Sequence, residues 1–169
     1  MPFFELEAPD ISNLSDADLR ELVARLCEAE LISQELHPSC VQWGGAQEAA
    51  DGGLDVRVVD AIPLSNQGFV KRANTGYQVK KNSMSKAACK NEMLEKGNVK
   101  AVIGDLLAKK GAYIIVSGKD DCSDKMLSER ILGMKSALEG FPNSDDLLLD
   151  FYGRDRLCAW LRQFPGVAL

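Results

Sequence analysis

The chain has 169 residues, 46% of them apolar and 27% charged, with a formal net charge of −5, which fits one globular domain with a layered core. No apolar run approaches the roughly 20 residues that cross a bilayer, and Met1-Pro2-Phe3-Phe4-Glu5 lacks the basic start and apolar stretch of a signal peptide, so a cytoplasmic location with no membrane partner is expected. Five widely spaced cysteines and a single histidine, His37, exclude a disulfide framework, a zinc knuckle and a His-based metal cluster, and leave His37 as the one base for a Ser-His-Asp triad.

In chain order, residues 1–14 read as an irregular arm carrying Pro2 and Pro9. Ser15 caps a first helix with Asp16 and Asp18 in its first turn. Leu19, Leu22, Val23 and Leu26 form its buried stripe, Glu21 lies opposite, and Glu30 returns to the stripe near the end. The helix stops before Pro38. Residues 38–53 read as a loop or short strand ending in Asp51-Gly52-Gly53, and a strand runs from Leu54 to about Ile62. Residues 63–74, with Pro63, Asn66, Gly68 and Asn74, form a turn or hairpin excursion. Residues 75–82 are the second core strand.

After it, Ser83 or Ser85 caps a helix from Lys86 to Leu94 that ends near Gly97. A helix from Val99 to Lys110 stops with Gly111 at its C′ position. Tyr113-Ile114-Ile115-Val116 is a buried central strand. A helix from Asp124 to Glu139, a strand from Leu147 to Phe151 and a helix from Arg154 to Phe164 complete the chain. The later alternation of helix and strand calls for an α/β fold of three layers, a central mixed sheet flanked by helices. Residues 15–169 are expected to be a single domain.

Charge is unevenly spread. Residues 1–70 carry a net −10, residues 71–110 a net +7 and residues 111–169 a net −2. The basic block begins beside the second strand, which points to an anionic polymer as partner. No aromatic is interleaved among the lysines that follow that strand, Lys86 and Lys90 included, which favours duplex over a base-stacking single-strand surface. Lys86 and Lys90, one helical turn apart, and Lys81 are the candidate backbone contacts.

Asp55 heads one strand, and Gln78 and Lys80 lie 23 and 25 residues on, in the next. The side-chain period of two puts Gln78 and Lys80 on one face toward Asp55, with Val79 turned into the core. Magnesium takes oxygen ligands and keeps several waters, so one or two side-chain oxygens suffice to hold it against a phosphodiester. Asp55 offers a carboxylate, Gln78 an amide oxygen and Lys80 a cation for developing charge. The glycine turn could instead cradle a nucleotide, but neither G-x-G-x-x-G nor G-x-x-x-x-G-K-[ST] occurs.

Asp51-Gly52-Gly53-Leu54-Asp55, a strand, then Gln78-Val79-Lys80 resembles the restriction-endonuclease-like PD-(D/E)XK superfamily, and within it the Mrr-like branch. The resemblance covers about residues 15–164. It implies a restriction-endonuclease-like fold and Mg²⁺-dependent hydrolysis of double-stranded DNA, with Mn²⁺ able to substitute. It makes Asp55 the metal-binding acid, Gln78 a second metal ligand and Lys80 the catalytic lysine, with Asp51 in a less defined role. Relatives carry a glutamate early in the first helix, where this chain has Arg20; Glu21, Glu28 and Glu30 are the substitutes, and Glu30 has the better wheel position for a metal ligand. The close of the chain, Arg154 to Leu161 with Pro165-Gly166-Val167, is similar to nuclease modules fused to large NTPase proteins of bacterial antiviral defence. That similarity implies an excised effector domain, C-terminal NTPase or sensor domains in a longer parent, and homo-oligomers. The alternative is a nuclease fold that binds nucleic acid without hydrolysis.

Overall fold

The structure, a computed structural model, describes residues 6–44, 53–65 and 67–168. Asp51, Gly52 and Asn66 therefore lie outside the described residues. Among the described residues, six α-helices, α1 (Ala8–Ser12), α2 (Asp16–Ser33), α3 (Lys86–Glu92), α4 (Ala101–Ala108), α5 (Asp124–Ala137) and α6 (Arg154–Gln163), surround a five-stranded sheet. Its strands are β1 (Val41–Trp43), β2 (Val56–Val58), β3 (Thr75–Lys80), β6 (Ala112–Ser117) and β7 (Leu148–Tyr152), in the order β1-β2-β3-β6-β7. The first two pairings are antiparallel and the last two parallel. A separate two-stranded hairpin, β4 (Leu94–Glu95) with β5 (Asn98–Val99), links α3 to α4. The fold is the expected three-layer α/β arrangement with a mixed sheet.

Strand pleat divides the interior into two cores. Tyr77, Val79, Ile114 and Val116 pack against α1, α2 and α6. Tyr113 and Ile115 pack against α3, α4 and α5 on the other face. Every residue of β6 is buried, as its unbroken apolar run requires of a central parallel strand. All five cysteines are free thiols. Among the described residues no helix is long and apolar enough to cross a membrane.

The arm is partly helical. Pro9 is tolerated in the first turn of α1, where Glu7 N–H donates to Asp10 Oδ2 at 2.9 Å, and the helix buries Ile11. Ser15 caps α2 as its sequence dictates, accepting from Asp18 N at 3.1 Å. The strand expected from Leu54 to Ile62 is only Val56–Val58. The helix ending near Gly97 stops at Glu92, because Lys96 (φ 51°) and Gly97 (φ 80°) form a hairpin turn with positive φ at both central positions. At the end of α4 the left-handed residue is Lys110 (φ 52°), not Gly111. Gly111 is glycine for another reason: a Cβ there would sit 2.3 Å from the Asn74 carbonyl oxygen.

Buried Asp120 and Arg130 fix where α3 begins. Met84 N–H donates to Asp120 Oδ2 at 2.7 Å, and Arg130 Nε donates to the Met84 carbonyl at 3.0 Å. The segment leaving β3 is thus tied to α5 just before Ser85 caps α3.

Candidate active site

The β2–β3 ladder ends in a carboxylate. Val56 pairs with Tyr77, and Asp55 N–H still donates to the Tyr77 carbonyl at 3.0 Å. Further along β3, Val79 N–H donates to Asp55 Oδ2 at 2.7 Å, so the side chain replaces a ladder carbonyl. Gln78 Nε2 donates to the same oxygen at 3.0 Å. Arg20 Nε, reaching in from the second turn of α2, lies 3.2 Å from Asp55 Oδ1. Asp55 is 9% exposed, and burial raises its carboxyl above the usual range, against the opposing pull of the Val79 N–H, Arg20 and Lys80.

Gln78 and Lys80 share the face that β3 turns toward α3 and α4, and Val79 points into the opposite core, as the period of two requires. Gln78 is buried, and its Oε1 accepts no hydrogen bond among the described residues. Tyr113, on β6, presents a second such atom: its Oη is buried without a partner among the described residues, and burial with the Glu92 and Asp55 charges pushes its hydroxyl well above the ordinary tyrosine value. Buried polar atoms are normally satisfied, so these two atoms mark a place where the described residues leave hydrogen-bonding capacity open.

Lys80 Nζ lies 3.4 Å from Glu92 Oε1, at the end of α3. Lys100 Nζ, at the residue before α4, lies 3.5 Å from the same oxygen. The hairpin creates this meeting: Lys100 N–H donates to the Met93 carbonyl at 3.0 Å, and Leu94 faces Val99, which sets positions 92 and 100 side by side. Gly53 (φ 95°) closes the far side, and a Cβ added there would meet Lys100 Nζ at 3.3 Å.

The structure thus brings Asp55, Gln78 and Lys80 together with Arg20, which stands where the resemblance expects a glutamate, and adds Glu92 and Lys100, which the sequence does not place there. A Leu-Glu-Lys-Gly-Asn-Val hairpin signal was available for the last two, hidden because Gly97 also suits a helix end. Glu30 does not join them. It accepts from Phe69 N–H at 2.8 Å and Val70 N–H at 2.6 Å, and ten residues of α2 separate it from Arg20 by about 15 Å along the axis. As a metal ligand with Asp55 it is therefore corrected to a structural anchor. Glu21 is exposed, and Glu28 pairs with Arg25. His37 Nδ1 accepts from Ser39 N–H in a local cap.

The basic block is not one face. Arg72 Nη1 donates to the Lys110 carbonyl near the start of β3, about 16 Å of strand away from Lys80 at its end. Lys81, Lys86 and Lys90 are exposed. On α3, however, Lys86 and Lys90 are turned about 120° and about 160° from Glu92, the residue that faces the site.

Magnesium needs few protein ligands provided they are oxygens. Among the described residues no three His, Cys, Asp or Glu side chains cluster as a metal group. Among the described residues the Asp55 carboxylate and Gln78 Oε1 are oxygen donors, which fits a largely hydrated Mg²⁺ and not a softer metal. Comparison with family models, with curated proteins and with solved structures returns no match for this chain.

Proposed function

We propose that this chain is a metal-dependent endonuclease that hydrolyses phosphodiester bonds of double-stranded DNA at the Asp55–Gln78–Lys80 site, in the manner of the Mrr-like branch that its motif resembles. The observation that carries the reading is the convergence of a buried carboxylate, an amide oxygen without a partner and a lysine at one strand end. Asp55 and Gln78 would hold Mg²⁺ or Mn²⁺ through their oxygens. When bound, such an ion supplies Lewis acidity toward a phosphate oxygen and toward water. Lys80 presents its ammonium where negative charge develops on the attacked phosphate, a role in which a fixed cation acts mainly on the transition state. Arg20 neutralises Asp55 in the absence of such an ion.

The test is incubation of plasmid with the protein and Mg²⁺, with EDTA as control and Asp55→Ala beside wild type. Nicking or linearisation that EDTA and Asp55→Ala both remove is the expected result. Cleavage by Asp55→Ala at the wild-type rate would remove the site from consideration.

The same Arg20–Asp55 contact favours a second reading, a nuclease fold that binds duplex without hydrolysis, because a guanidinium occupies the carboxylate that a metal would need. Duplex binding by wild type with no cleavage at any Mg²⁺ or Mn²⁺ concentration is the outcome that selects it.

A further inference from the structure

We propose that Lys80 and Lys100 form a two-cation cradle that grips one backbone phosphate of the duplex, with Glu92 as the positioning residue between them. The inference rests on reading this site as one that binds a phosphodiester, but not on hydrolysis there. Both ammoniums approach Glu92 Oε1, at 3.4 and 3.5 Å, so they lie within about 7 Å of each other and would repel without an anion between them. One carboxylate against two lysines leaves a net positive charge. Asp55 and Arg20 cancel one another alongside.

Each ammonium has three N–H donors, and the shared oxygen is the one hydrogen-bond or ion-pair partner that Lys80 and Lys100 have among the described residues. Their side chains differ in access: Lys80 is 38% exposed and Lys100 is 17% exposed. Lys100 is therefore not a solvated surface lysine but one held with its ammonium against Gly53 and Glu92. Glu92 is one carboxylate for two ammoniums, so the pair keeps positive charge in a confined position that a second anion would offset. A phosphate seated between the two cations supplies oxygens for the free N–H donors of both. Glu92, in contact with both ammoniums, sets their spacing. The β4–β5 hairpin provides the rigidity, since it locks the end of α3 to the start of α4.

The experiment measures binding of metal-free protein to one duplex at several salt concentrations, for wild type, Lys100→Met and Lys100→Arg. Methionine keeps the apolar stem against Gly53 and removes the charge. Loss of one phosphate contact lowers the log–log salt slope by about 0.9. Lys100→Met is expected to show that loss, and Lys100→Arg to restore the wild-type slope. A wild-type slope in Lys100→Met overturns the cradle and assigns Lys100 to packing alone. A weaker slope in both variants also overturns it, since charge would then not be what binds. Wild type with no salt-dependent duplex binding overturns the cradle together with both readings of the site. Wild type that binds with the predicted slopes yet never cleaves plasmid removes the hydrolysis reading and leaves the cradle standing.

Discussion

Two buried carboxylates, Glu30 and Asp55, are 3% and 9% exposed, and burial raises the proton affinity of both. One sequence argument singled out both as metal ligands, yet their surroundings differ in kind. The Glu30 oxygens are each taken by a backbone N–H, from Phe69 and from Val70, so the carboxylate does for a loop what a helix cap does for a helix. Gly68 is packed so closely that an added Cβ would sit 2.6 Å from the Glu30 carboxyl. The Asp55 oxygens are shared among a guanidinium, an amide and one N–H, beside Lys80 and the orphaned Gln78 Oε1. Burial and a raised pKa are common to a structural and a candidate functional acid. What separates them is what holds the carboxylate: two backbone N–H groups for Glu30, and a guanidinium, a side-chain amide and one N–H beside a lysine for Asp55.

Substitutions at the two sites should separate activity from stability. Lys80→Ala is expected to lower kcat by about 10²- to 10³-fold, as loss of one fixed transition-state charge does, while duplex binding by the metal-free protein falls by one phosphate contact at most. Plasmid turnover and salt-dependent binding measured on the same sample check this, and an unchanged kcat would move catalysis off β3. Glu30→Ala should leave two buried N–H groups without acceptors and cost roughly 3 kcal/mol of folding stability. Urea unfolding of that variant is the measurement. A loss well under 1 kcal/mol would mean that water reaches the Phe69–Val70 loop and satisfies it.

The pH dependence of Glu30 sharpens the same contrast. Burial lifts its folded pKa above the ordinary glutamate value, so the folded state holds the proton more tightly than the unfolded chain. The stability this contributes is fully present below the unfolded pKa. It is lost as pH rises through the folded pKa. Glu30→Gln has no such proton, so its stability relative to wild type should improve as pH climbs from about 4 through that raised pKa. The check is a pair of urea titrations across that range, and a pH-independent difference between the two proteins would show that Glu30 is already ionised at no cost.

Much of the fold was legible because local signals agreed with the global one. Ser15 caps α2 as expected, and Ser85, one of the two serines offered, caps α3. The period of two on β3 correctly separated Gln78 and Lys80 from Val79. What could not be read was long-range. Nothing in the composition of α2 says that Arg20 reaches Asp55, 35 positions away, while Glu30 turns to a loop. The short β2 was overestimated because Val59 and Ala61 look like strand residues, although only Val56–Val58 form it. Glu92 and Lys100 were missed together, since their meeting depends on one hairpin turn in which a glycine signal had two meanings. The charge of residues 71–110 looked like one surface because linear sums ignore that β3 carries its flanking residues to opposite ends of the sheet.

The smallest expected effect concerns α3. If the duplex sits on Lys80 and Lys100, it approaches from the Glu92 side of that helix. Lys90 points nearly opposite. Lys86 begins the helix where it abuts α5, its carbonyl oxygen only 2.4 Å from where a Cβ on Gly133 would be. Two true phosphate contacts at these lysines would contribute about 2 to the salt slope, one unit for each. Their placement predicts less, so Lys86→Glu with Lys90→Glu should lower the slope by under about 1, through general repulsion and not through lost contacts. The measurement is the same metal-free titration used for Lys100→Met, with the two variants compared on one duplex. A fall of about 2 in the double variant, with none in Lys100→Met, would put the duplex across the outer face of α3 and reverse the side from which the strand end is approached.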